Sequence, residues 1–406
     1  MKSIILFLTI VFSVYCCHNP QSGTVSGNGS ETYYVALDSI NGLCVVPVDS
    51  LKAVRMIIPL SRLVEDCSMV QLETKEEAHI GSVYPHTTIT EKYIGVARFK
   101  DSFLLFNRSG IFLCTVGSPA TIHDVIIDDK NELIYLSHLI GNKILVYNTS
   151  GQFVKDIVAP QMLMRPLLFL SDSILTVVHA AMNNSSPAHY GYNAADAMVL
   201  QFDVNTGELL KKIAPPEHLI IQSLNDGAIN TTRNTPGQLD VFLLYHFVKS
   251  TYRDTLYHID VKNNKLFPVF TMTYSSDEIP KSDGKIFRKP IFYQLNKNLI
   301  LTDFLGKGFI MTDLSSKTSS WCRIVNDFYG NIPVTLNENH NPLFFNGYFV
   351  HNIESEELMK MIKKRLSQND CTKKEKQTLK KTLLTLKKGT NNVVFIGKLK
   401  SETNLF

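Results

Sequence analysis

The feature that most constrains this chain is a hairpin written twice. The stretches "FLLFNRSGIFLCTV" (103–116) and "ILVYNTSGQFVKDI" (144–157) share one grammar: apolar strand, aromatic, Asn, two turn residues, Gly, one residue, Phe. Phe106, Asn107, Gly110 and Phe112 align with Tyr147, Asn148, Gly151 and Phe153, every one of them 41 residues on. Looser copies follow at 199–213, 256–270 and 308–324. Each places residues that tolerate positive φ between two strand-forming runs, which is how a short-loop hairpin is encoded.

Further runs lie between these hairpins, such as "DVIIDDKNELIYLS" (124–137), "PLLFLSDSILTVVHA" (166–180) and "KPIFYQLNKNLILTDF" (289–304), each with its own central turn signal. The unit is therefore four strands in two hairpins. A lone four-stranded sheet cannot bury both faces, whereas units stacked around an axis cover one another, and a period near 40 residues with four strands is that of a propeller blade. Residues 34–406 divide into six or seven such units. Pairing the isolated strands "ETYYVALD" (31–38) and "NNVVFIGKLK" (391–400) in one closing blade favours six and removes two exposed edges. The expected fold is all-β: a six-bladed β-propeller of four-stranded antiparallel blades over 34–406, with a short helical insertion at about 354–389 before the last strand.

The passages at 56–74, 91–117 and 131–157, with "NNVVFIGKLK", resemble the six-bladed β-propeller lipoproteins of Bacteroides and its relatives. The resemblance covers nearly the whole chain after its leader and implies the propeller fold. In that family the segment after the first hairpin runs roughly G-x-GP-x-E-Y. Here it is "VGSPATIHDV" (116–125), which keeps one Gly and the Pro and lacks the Glu and Tyr.

The first residues read as a secretory lipoprotein signal, 1–17: one Lys, the apolar run "IILFLTIVFSVY", then Cys16 and Cys17. Cys17 is the better acylation position and Cys16 the alternative; loss of both with an ordinary cleaved signal is the competing reading. Residues 18–33, rich in Gly, Ser and Asn, suit a flexible tether. This predicts a protein of the bacterial cell envelope, lipid-anchored in the outer membrane and facing the periplasm or the cell surface. Five scattered cysteines beyond the signal have no metal spacing and an odd count for pairing, so they read as small buried apolar residues.

The net charge of +4 is local. Residues 354–388 carry eleven Lys/Arg against five Asp/Glu, on two amphipathic helical runs whose basic face is expected to be solvated rather than to meet nucleic acid. Residues entering each inner strand should ring the channel mouth, which nominates His123, Asp124, Arg165, Arg288 and Lys289 as a binding site for an anionic glycan, peptide or protein ligand. His123 would add a pH dependence near neutrality. The long insertion contributes His179, His189, Tyr190 and Tyr192 as second candidates. No metal motif, cofactor motif or GxSxG nucleophile stands out, so neither a metal nor a cofactor is expected. The functional expectation is a membrane-anchored ligand-binding or protein-interaction scaffold, with a metal-dependent hydrolase or lyase as the rival reading.

Overall fold

The computed structural model describes residues 32–401 apart from 35, 38–42, 52–55, 81–82, 182–196, 222–226, 236, 246–253, 274–289, 305–307 and 336–342. Six four-stranded antiparallel sheets form a ring, each running from the axis outward. Blade 1 holds Val83–Ile89, Tyr93–Arg98, Asp101–Asn107 and Phe112–Ala120, and blade 2 holds Ile122–Asp128, Leu133–His138, Ile140–Asn148 and Phe153–Met164. Blade 3 follows with Leu167–Ser171, Ile174–Val178, Val199–Asp203 and Leu209–Ala214, and blade 4 with Gly227–Thr232, Asp240–Tyr245, Asp254–Asp260 and Lys265–Thr273. Blade 5 is Ile291–Gln294, Leu299–Phe304, Gly308–Asp313 and Thr318–Asn326. Blade 6 joins Phe344–Phe345, Tyr348–Ile353 and Val393–Lys398 to Ser68–Gln71 from the far end of the chain.

The apolar runs such as "FLLF" follow from burial on both faces. Successive strand residues point to opposite sides. Leu104 and Phe106 enter a core shared with Val394 and Ile396 of blade 6, whereas Phe103 and Leu105 enter one shared with Val125 and Leu136 of blade 2. The other blade interfaces are built alike, blade 4 meeting blade 5 through Phe242, Phe270 and Phe292 in edge-on aromatic contacts.

The repeated hairpin now has a physical reading. Asn107 Oδ1 accepts from the backbone N–H groups of Ser109 and Ile111, both at 3.0 Å, and Asn148 Oδ1 accepts from those of Ser150 and Gln152 at 3.1 and 2.9 Å. Asp203, Asp260 and Asp313 cap the corresponding turns of blades 3, 4 and 5 in the same way. The flanking aromatics are cross-strand pairs, Phe106 on Phe112 and Tyr147 on Phe153, each with ring centroids 5.6 Å apart. Gly110 has φ +85°, and a Cβ there would lie 2.4 Å from the Gln71 carbonyl oxygen of the preceding blade. The turn thus packs against its neighbour, and the recurring Gly is where that approach is tightest.

Closure differs from expectation. Val393–Lys398 does close the ring, but its N-terminal partner is Ser68–Gln71, with Phe395 opposite Met69, and not the 31–38 segment. Thr32–Tyr34 instead pairs in parallel with the outer strand of blade 3. The chain then follows the ring: Ala36–Leu37 and Cys44–Pro47 pair in parallel with the outer strand of blade 4, and Met56–Pro59 with that of blade 5, before Ser68–Gln71 enters blade 6. This N-terminal strap covers three sheet edges that would otherwise present unpaired backbone.

Two helices, α1 (Ser355–Leu366) and α2 (Lys373–Thr385), precede the last strand. Leu358, Ile362 and Leu379 bury against the interface of blades 5 and 6, and the helical lysines face outward. A Thr372–Glu375 capping box starts α2, and Arg365 ties the pair together through Asp370 (2.6 Å) and Glu375 (2.9 Å). The cysteines among the described residues are unpaired: Cys44, Cys322 and Cys371 are buried, Cys67 and Cys114 half-buried. Among the described residues no helix is long and apolar enough to cross a membrane.

Candidate functional site

The inner strands converge on a cluster of charge at the axis. Asp124 stands near the start of the blade 2 inner strand, just after a register shift between Ile122 and Asp124. Its carboxylate is 1% exposed, and a buried carboxylate must be fully hydrogen-bonded. Oδ1 accepts from the Val125 backbone N–H at 2.9 Å and Oδ2 from that of Leu168 in blade 3 at 2.6 Å. Both terminal nitrogens of Arg233 donate to the same carboxylate, Nη1 at 3.2 Å to Oδ1 and Nη2 to Oδ2. Such a fork-to-fork pair is the strongest arrangement two side chains can adopt.

Arg233 follows the inner strand of blade 4 and reaches back across the axis. Its guanidinium carbon lies 4.6 Å from the Phe169 ring of blade 3 and 5.0 Å from the Phe345 ring of blade 6, so the cation is held between two aromatic rings. The neighbours of Arg233 fasten it. Thr232 Oγ1 accepts from the Gln294 backbone N–H of blade 5 at 2.9 Å, and Asn234 donates to the Phe344 carbonyl of blade 6 at 3.3 Å. His86 of blade 1 packs on Phe345 with centroids 4.5 Å apart, its Nε2 3.5 Å from Asp124 Oδ1. Five blades therefore contribute to one ion pair, and the sixth, blade 5, holds the end of the strand that carries Arg233.

Two imidazoles adjoin it without charge. Burial pulls the His86 pKa down to about 4 and the His123 pKa down to about 3, outweighing the attraction of Asp124; Arg233 acts further against protonation of both. His123 is half-buried as a residue, yet both its ring nitrogens are buried and, among the described residues, have no hydrogen-bond partner. Arg165 lies near enough to oppose protonation of His123 and has the unusual φ of +51°, with its backbone N–H bonded to the Leu139 carbonyl at 2.7 Å. The expected titration of His123 near neutrality is corrected by this burial: the ring is neutral throughout the range from pH 5.5 to 8.

His123, Asp124 and Arg165 thus share the axial neighbourhood, while Arg288 and Lys289 lie outside the described residues. So do His189, Tyr190 and Tyr192, as well as Cys16 and Cys17. His179 is fully buried rather than presented on a loop surface: Nε2 meets Gln161 Nε2 at 2.8 Å, Nδ1 meets the Ala180 carbonyl at 3.1 Å, and burial lowers its pKa to about 4. The reading from sequence missed Arg233, His86, Phe169 and Phe345. Its axial candidates were residues entering inner strands, whereas Arg233 leaves one; the signal was the basic residue in "TTRNT" (231–235), polar where a blade would otherwise turn.

A second concavity lies on the outside of the ring, a cleft of about 570 Å³ between strap residue Ile57, the outer strand of blade 5 and the end of α1. Asp303 lines it, 3% exposed, with Oδ2 unpartnered and burial raising its pKa to about 7. Among the described residues no group of three or more His, Cys, Asp or Glu side chains is placed to hold a metal ion.

The fold and its axial cluster define a class: a six-bladed β-propeller whose channel is crossed by a buried, aromatic-flanked ion pair. The chain belongs to the family described as Domain of unknown function (DUF4934), matched over residues 43–398. Among solved structures it is similar to one from Bacteroides fragilis provisionally described as an exported protein, at 13% identity and TM-score 0.53, covering 90% of this chain and 100% of that one. It is also similar to the hydrazine synthase of Kuenenia stuttgartiensis (12% identity, 57% and 64% of the two chains, TM-score 0.38) and to the computationally designed Ika8 protein (12%, 69% and 82%, TM-score 0.35). Identities this low speak to fold alone. A comparison with curated proteins found no match.

Proposed function

We propose that this chain is an extracytoplasmic binding scaffold of the bacterial cell envelope, anchored by acylation at Cys17 or Cys16, that takes a small anionic ligand in the channel beside His123. The observation carrying this reading is the His123 ring, whose two buried nitrogens find no hydrogen-bond partner among the described residues. Unsatisfied buried polar atoms are rare in folded proteins and call for an explanation. A ligand supplies one: a neutral imidazole can donate one hydrogen bond to a carboxylate or phosphate and accept one from a hydroxyl. The surroundings favour an anion, because the cations Arg165 and Arg233 both act on His123 strongly enough to oppose its protonation, and the two imidazoles, His86 and His123, are neutral. Acidic sugars, sugar phosphates and acidic peptides combine the required groups. The description of the Bacteroides fragilis structure as an exported protein agrees with the location.

The test is calorimetric titration with glucuronate, a hexose phosphate and a short acidic peptide. At least one should bind, and His123→Ala and Arg165→Ala should each weaken it tenfold or more. Affinity for glucuronate, whose carboxylate is ionised throughout, should stay flat between pH 5.5 and 8, since the imidazole does not titrate there. Binding indifferent to both substitutions would end this reading. Anchoring is tested separately: replacing Cys16 and Cys17 with Ser should release the protein into the soluble fraction.

A further inference from the structure

The strap carries a repeat of its own. Four of its five strands begin at Thr32, Cys44, Met56 and Ser68, each twelve residues beyond the last and each on the next blade of the ring; the fifth, Ala36–Leu37, joins Cys44–Pro47 on blade 4. The sequence keeps the same pace, with "CVVPVDSL" at 44, "MIIPLSRL" at 56 and "SMVQLETK" at 68. On blades 4 and 5 the pairing is parallel and in matching register, Cys44 opposite Phe270 and Met56 opposite Cys322. One short uncharged apolar strand per blade edge is thus the way this fold covers its outside.

The cover stops short. Among the described residues no strand pairs with the outer edge of Phe112–Ala120 in blade 1, where Glu73 Oε2 accepts from the Phe112 N–H at 2.9 Å, or with that of Phe153–Met164 in blade 2. These two edges also differ in chemistry from the covered ones. Ile111 (52% exposed) and Leu113 (43%) flank or lie on the first, and Phe153 (57%), Val154 (49%) and Val158 (51%) lie on the second. The three covered outer strands together expose one large apolar residue, Leu210. A bare backbone edge bordered by apolar side chains is a template for strand addition. Blade 2 is moreover the next in line, since the strap reaches blade 3 at Thr32.

We propose that the outer edge of blade 2 is a docking site for an extended segment of a partner protein, which adds in parallel to Phe153–Met164 as the strap adds to blades 3, 4 and 5. The partner segment would be uncharged over about four residues with two central β-branched aliphatic ones, the chemistry of "MIIP" and "CVVP". Two nearer occupants fit less well. Residues 20–31, twelve positions upstream, read "PQSGTVSGNGSE" and hold one large aliphatic side chain. The strap of a second copy is already engaged on its own blades. Side-chain burial on Phe153, Val154 and Val158 would supply affinity, and main-chain pairing would fix direction and register.

The experiment uses a fluorescently labelled peptide, MIIPLSRL, with the intact protein. Saturable binding is expected, with slowed amide exchange across 153–159. Val154→Lys combined with Val158→Lys should weaken binding at least tenfold while leaving the melting temperature unchanged, because both residues are exposed. A peptide with lysines in place of its two isoleucines should not bind. Absence of saturable binding overturns the proposal. So does binding untouched by the edge substitutions, which would mean that the peptide competes for the strap's own place on blade 5. If sedimentation shows a dimer that the same substitutions dissociate, the occupant is a second copy and the assignment to a partner protein fails.

Discussion

Substituting Arg233 with Met isolates what the axial ion pair contributes. The Met side chain keeps an apolar stem between Phe169 and Phe345, so packing is largely preserved while the charge is lost. Asp124, 1% exposed, is then a buried carboxylate that has lost the guanidinium paired with it. Breaking a buried pair from one side costs about 3–5 kcal/mol, and losing the cation between the rings adds about 1 kcal/mol. Against this, the Val125 and Leu168 N–H groups remain as donors to the carboxylate, which draws the expected loss toward about 3 kcal/mol. Total stabilities of folded domains are about 5–15 kcal/mol, so the variant should fold with a much reduced urea midpoint. Asp124→Asn in the same background removes the stranded charge, and a double-mutant cycle should give a coupling of about 2 kcal/mol or more. If Arg233→Met costs under about 1 kcal/mol, or if the two single losses simply add, the pair is not the fastening described here.

Acidification should destabilise the protein. Burial lowers the pKa of His86, His179 and His351 to about 4 and that of His123 to about 3, so the unfolded chain takes up protons first and stability falls as pH drops from about 6.5 toward 4, by up to about 1.4 kcal/mol per pH unit for each ring. Asp303, raised to about 7, acts in the opposite sense, losing stability as pH rises from about 4 to 7; Asp303→Asn should therefore raise the urea midpoint at pH 8 and do so less at pH 5. Gly110→Ala and Gly207→Ala both force an L-residue to positive φ, but only the first drives a Cβ into a neighbouring carbonyl; thermal melts should show a loss of about 1–2 kcal/mol for Gly207 and at least twice that for Gly110. Deleting residues 391–406 removes the third strand of blade 6 and leaves Ser68–Gln71 without its partner, so size-exclusion chromatography should show aggregation; a monomer with an unchanged melting temperature would contradict the closure described above.

What the sequence determined by itself is the blade; its count was left at six or seven, and the pairing of 31–38 with 391–400 that favoured six is not the one that closes the ring. The 41-residue spacing of Asn107 and Asn148, with the aromatics and glycines around them, specifies a capped hairpin from contacts within a few residues, and such local chemistry is readable without a fold. Continuous apolar runs such as "FLLF" announce strands buried on both faces, which implies neighbours on either side. The helical insertion was equally legible from its periodicity.

Tertiary structure alone decided how the ring is closed and what lies at its axis. "TYY" at 32 and "SMVQ" at 68 are both short strands with no local turn to set their partners, and each is satisfied by backbone groups well over a hundred residues away, so sequence offers no ground for choosing between them. The twelve-residue strap repeat was hidden for the same reason: four residues per repeat are too few to stand out until the blade edges that space them are present. Arg233 is the sharpest case. It lies 109 positions from Asp124, and what makes it a partner is a buried carboxylate and two aromatic rings that three other blades bring to the same point.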